Sequence, residues 1–72
     1  MMCVNTVGAS KLLGVARGTL YLWRLDDRFS EIHFNGRTYI PIRDIAKDMK
    51  ITQRELIDMA DDMGVPLWRV KE

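Results

Sequence analysis

Seventy-two residues, 47% apolar and 29% charged, set the size of one small globular domain and exclude a disordered chain. Cys3 is the only cysteine, which excludes an internal disulfide and suits a reducing cytosol; no apolar run approaches the roughly 20 residues of a membrane span, and the first residues lack the form of a signal peptide. The net charge of +1 excludes a uniformly basic nucleic-acid glue, but residues 1–43 carry six basic and three acidic side chains while residues 44–72 carry five and seven.

In chain order, Met1 to Asn5 is a short apolar start that would pack against a sheet or fray. Thr6 is placed to cap a helix from residue 7 to about 13. Gly14 suits a turn that needs a positive φ. A second helix is predicted over 17–25, with Leu20 and Trp23 inward and Asp26-Asp27 as its break. Val15 would plug the angle between the two helices, and Ser10 supplies a small residue four positions before the turn. Ile32, Phe34, Tyr39 and Ile40 flank Asn35-Gly36, a strong signal for a two-residue hairpin. Pro41 ends the second strand. Ile42, Ile45, Ala46 and Met49 then form one helical face, and Lys50-Ile51 breaks it. Thr52 and Glu55 form a capping box that opens a helix over 53–63, with Leu56, Met59, Ala60 and Met63 inward and Gly64 as the stop. The tail, 65–70, is too apolar for a free end. Residues 62–70 also echo 12–15 followed by 22–25, as a truncated second helix-turn-helix would.

Catalysis finds little support. His33 and Cys3 lie in different elements, and no serine, histidine and carboxylate grouping is visible. Asp26-Asp27 and Asp61-Asp62 are adjacent pairs whose side chains diverge by about 100° on a helix, which suits caps and surface rather than a metal. No phosphate loop and no zinc ligand set is present. The expectation is a protein that is not an enzyme and needs no metal or cofactor.

The run Ser10 to Arg24 (small residue, apolar pair, Gly14-Val15, polar pair, Thr19-Leu20-Tyr21, then Trp23) resembles the helix-turn-helix of MerR-like and phage excisionase-like winged-helix proteins. It is also similar to the N-terminal domain of phage terminase small subunits. The resemblance extends over roughly residues 4–50, through a hairpin like the family's wing and Arg43-Asp44-Ile45 like its next helix. Two positions depart: Ala16 stands where the family has a capping serine, and Gly18 interrupts the second helix. The implied fold is α+β, mostly α: one winged helix-turn-helix domain over 1–72 with a two-stranded wing and an additional C-terminal helix.

The implied function is sequence-specific DNA binding, as an excisionase-like recombination accessory factor or a small transcriptional regulator. In such a fold the second helix enters the major groove. Arg17 would then read guanine, Gly18 would allow close backbone approach, and Thr19, Tyr21 and Arg24 would meet phosphate or base. Asn35, Gly36, Arg37 and Thr38 form the wing's contact, in the minor groove or on the backbone. Trp23 is expected in the core, and His33 facing solvent. Leu67, Trp68 and Val70 either serve self-association or fold back onto the core. The implied partners are double-stranded DNA, further copies in a homo-oligomer or cooperative array, and a recombinase or other phage protein, in the cytoplasm of a bacterial or phage-infected cell and on its nucleoid. A full-length chain of this size leaves no room for an effector domain. Two rivals stay open: the DNA-binding domain of a longer protein such as a terminase small subunit or replication initiator, and a protein-interaction module that reuses the fold, such as a phage-encoded inhibitor.

Overall fold

The apolar start of the chain becomes a central strand. In the computed structural model, which describes residues 1–70, β1 (Met2–Asn5) lies between β3 (Arg37–Pro41) and β4 (Trp68–Arg69). Strand β2 (Ile32–Phe34) completes an antiparallel sheet of order β2-β3-β1-β4. About half of the chain is helical: α1 (Thr6–Leu13), α2 (Arg17–Leu25), α3 (Ile42–Met49) and α4 (Gln53–Met63). The α+β expectation holds, but the hairpin is not an isolated two-stranded wing. It continues into a sheet closed by the two ends of the chain.

The sheet separates two apolar clusters. Val4 and Ile40, paired across β1 and β3, point toward the helices and join Ala9, Leu12, Leu20, Ile45, Leu56 and Ala60 in the main core. Cys3, Tyr39 and Val70 form a smaller cluster with Ile32 and Trp68, to which no helix contributes. The alternation of side chains along each strand produces both faces. The single cysteine is thus a core residue, and burial raises its thiol pKa.

The four described helices end the same way. Gly14, Asp27, Lys50 and Gly64 adopt left-handed backbone, and the next residue's N–H donates to the carbonyl five positions back. The pairs are Val15 to Ser10, Arg28 to Trp23, Ile51 to Ala46 and Val65 to Ala60, at 2.8–3.2 Å. This is the Schellman closure, in which an apolar residue after the turn covers the helix end. Val15, Ile51 and Val65 all pack on the main core. The shared Gly-Val of 14–15 and 64–65 is therefore a shared cap. No described helix follows the second copy, so the expected truncated helix-turn-helix is corrected to a turn and an edge strand.

Two further expectations are corrected, and the alternative left open for the tail resolves toward the core. Helix α1 begins at Thr6, and the cap is Asn5, whose Oδ1 accepts the N–H of Gly8 at 2.8 Å. Asn5 is still extended as the last residue of β1, so strand end and helix cap coincide. Met63 is 48% exposed, because the last turn of α4 passes beyond the core and Val65 covers its end instead. The tail does fold back: Val70 is buried, Leu67 packs on the main core, and the Trp68 and Tyr39 rings meet at 5.6 Å. Val70 is therefore unavailable as a self-association contact. The other helix boundaries follow the sequence, including the Thr52–Glu55 capping box, in which both reciprocal bonds form.

Candidate nucleic-acid interface

Helix α2 packs on α1 through Leu20, and the turn at Gly14 joins them. Ser10 sits buried near this junction and satisfies its hydroxyl by donating to the Val7 carbonyl at 2.8 Å. The opposite side of α2 is open. Arg17 and Gly18 are exposed in its first turn, and Ala16 at the cap position makes no side-chain hydrogen bond. The first N–H groups of α2 thus lack the oxygen that a serine cap would supply, at the end of the helix where its dipole is positive. A shallow groove lined by Thr6, Arg17, Gly18, Tyr21 and Arg24 runs along this end.

A Cβ built on Gly18 would meet nothing within 4 Å. No packing in the domain therefore requires glycine there, whereas Gly8, whose Cβ would lie 2.8 Å from Val65 Cγ1, is held to glycine by the core. Gly18→Ala is expected to stabilise the domain by at most about 0.5–1 kcal/mol, the preference for alanine of a helix interior being the upper bound in a first turn. Thermal unfolding checks this; a lowered melting temperature would reveal an unseen steric role.

The arginines on and around α2 are not alike. Arg24 donates through Nε to Glu31 at 2.8 Å and through Nη2 at 3.4 Å. These bonds hold the Glu31 carboxyl below its usual range and raise Arg24. Arg28 binds Asp48 at 2.7 and 3.2 Å while lying 4.1 Å from the Trp23 ring centroid. Both side chains tie the loop after α2 to the rest of the fold. Arg17 and Arg37 have no carboxylate partner among the described residues. The expected phosphate contact of Arg24 would require it to leave Glu31.

The hairpin turns at Asn35 and Gly36, both with positive φ (52° and 72°), the type I′ geometry that Asn-Gly favours. Asn35, Gly36 and Arg37 are exposed at its tip, and half-buried Thr38 pairs with His33 Nδ1 at 3.3 Å. Thr19 is half-buried on α2. Sequence reasoning missed Phe34, 53% exposed opposite Arg37, and missed Leu22 and Leu25 (59% and 62%), which join Tyr21 (57%) in an exposed apolar stripe. The signal for the stripe was present: Leu22 and Leu25 lie off the Leu20–Trp23 face.

Among the described residues, no cluster of potential ligands could hold a metal ion, and no helix is long and apolar enough to cross a membrane. Comparison with protein-family models, with curated proteins and with solved structures finds no match.

Proposed function

We propose that the chain is a DNA-binding domain of the winged helix-turn-helix kind, with α2 as the reading helix and the β2–β3 hairpin as the wing. The observation that carries this reading is the first turn of α2: an unpaired, exposed arginine, a glycine with no packing role, and uncapped N–H groups share one open surface. Backbone N–H groups at a helix start donate to phosphate oxygens, and arginine beside them can make paired bonds to guanine O6 and N7. Arg37 at the type I′ tip supplies a second cation for the minor groove or backbone. Arg24, held by Glu31, orients the loop behind α2 rather than reading DNA. With few unpaired cations, the single-copy affinity is expected to be low and its salt slope shallow. The biological role that fits is an excisionase-like accessory factor or a small transcriptional regulator, either free-standing or within a longer protein.

The test is selection of bound duplexes from a random pool, followed by titrations at several salt concentrations. Arg17→Ala is expected to cost about 1–3 kcal/mol at the selected site and to relax preference there. Arg37→Ala should weaken all duplexes evenly and reduce the salt slope by about one. Equal loss on every duplex by both variants would end the division into reader and wing.

One observation favours a second reading, a protein-interaction module. Tyr21, Leu22 and Leu25 expose a continuous apolar stripe on α2, next to arginines already neutralised by Glu31 and Asp48. A protein that retains no duplex from the pool even at low salt would favour that module.

A further inference from the structure

The structure brings the hairpin and the chain's tail to one place. On the sheet face that the helices do not cover, Phe34, Arg37, Tyr39, Trp68 and Arg69 line an open groove of about 400 Å³. Its floor is apolar: Val70 is buried and the Tyr39 and Trp68 rings meet at 58°. Arg37 and Arg69 are exposed, and no described carboxylate pairs with either or lines the groove. Aromatic rings with guanidinium groups at the margin are the residue types that dominate protein–protein contacts.

A surface of opposite character lies on α4. Asp58, Asp61 and Asp62 are exposed at positions three and four apart, with no ion pair among the described residues. Ile57, Val65 and Leu67 give the same region an apolar centre. The last turn of α4 holds no basic residue, so its negative dipole end faces two carboxylates instead of a cation. An arginine brought from outside would gain from the carboxylates and the dipole together.

We propose that these two surfaces bind each other between copies: the Phe34–Arg37–Trp68–Arg69 groove of one molecule receives the acidic α4 face of the next. The contact joins unlike surfaces, so every copy keeps one of each for a further neighbour unless the geometry closes a ring. Two guanidinium groups suit a short cluster of three carboxylates, whereas a nucleic-acid strand would bring a phosphate with every nucleotide. Tyr39, only 6% exposed, also offers no ring face for a stacked base. The contact does not depend on α2, but it shares Arg37 with the proposed wing, so the test reverses Arg69 and the α4 carboxylates, which have no part in the DNA-binding reading.

The test mixes two charge reversals. Arg69→Glu spoils the groove; Asp61→Lys paired with Asp62→Lys spoils the α4 face. All three side chains are exposed, and lysine suits the end of α4, so both proteins should fold, as circular dichroism would verify. Sedimentation should show the wild type associating with concentration, less so at high salt. Each variant alone should associate at least about tenfold more weakly. An equimolar mixture restores a complementary contact, the intact groove of one variant against the intact α4 face of the other, so it should associate more strongly than either variant alone. A monomeric wild type at millimolar concentration would overturn the proposal. So would variants that associate as the wild type does, a mixture that associates no more strongly than either variant alone, or a Trp68 indole signal moved by an oligothymidine and not by added protein.

Discussion

A chain ending at Gly64 is expected to lose its fold. The deletion removes Val65, which is buried against Gly8, together with half-buried Leu67 and Trp68 and buried Val70. It also strips β1 of a neighbour. The N–H of Val70 donates to the Met1 carbonyl at 2.9 Å, and the terminal amine of Met1 donates to the Val70 carbonyl at 3.0 Å. Without β4, strand β1 becomes an edge, and Cys3 and Tyr39 lose their cover. Burying a valine or leucine side chain contributes about 1.5–3 kcal/mol. Two buried valines and the half-buried Leu67 and Trp68 therefore contribute several kcal/mol, against roughly 4–10 kcal/mol for a whole domain of this size. Circular dichroism of the shortened protein should show lost helix signal and no cooperative melt. Native-like melting would make the tail an appendage, and its burial against β1 would count for little in stability.

The same tail marks where sequence reasoning stopped. Helices α2 and α4 were legible to the residue, because their limits are written in local chemistry: the turn glycines and the Thr52–Glu55 box. The hairpin was legible for the same reason, at Asn35-Gly36. Strands β1 and β4 span four and two residues and have no readable period. They exist because the chain ends meet, and the Cys3–Trp68 pairing joins positions 65 residues apart. The site divides similarly. Arg17, Gly18 and Arg37 lie exposed where the helix and hairpin patterns put them. What became of Arg24 and Arg28 depended on carboxylates 7 and 20 residues away, which no local pattern specifies. Asp26-Asp27 was legible as a break and as suited to a cap, but not in its form, in which a left-handed Asp27 substitutes for the usual glycine.

Trp23→Ala is expected to lower stability by about 2–4 kcal/mol, below the ~3–5 kcal/mol of a fully buried aromatic because the ring is half-exposed. One face packs on the core, and Phe29 meets it at 6.5 Å. Arg28 lies 4.1 Å from the ring centroid while reaching Asp48 on α3. Trp23 thus supports a brace running from α2 through Arg28 to α3. Its loss removes packing, a cation–π contact of about 0.5–1 kcal/mol, and part of the order in the Arg28 side chain. At about 4–8 °C per kcal/mol for a domain of this length, a loss near 3 kcal/mol lowers the melting temperature by about 12–24 °C. Tyr21→Phe, at an exposed position on the same helix, should leave melting within about 0.5 kcal/mol of the wild type and alter binding alone. If Trp23→Ala instead melted like the wild type and lost only binding, Trp23 would belong to the interface. The brace through Arg28 would then have no part in holding α2 against α3.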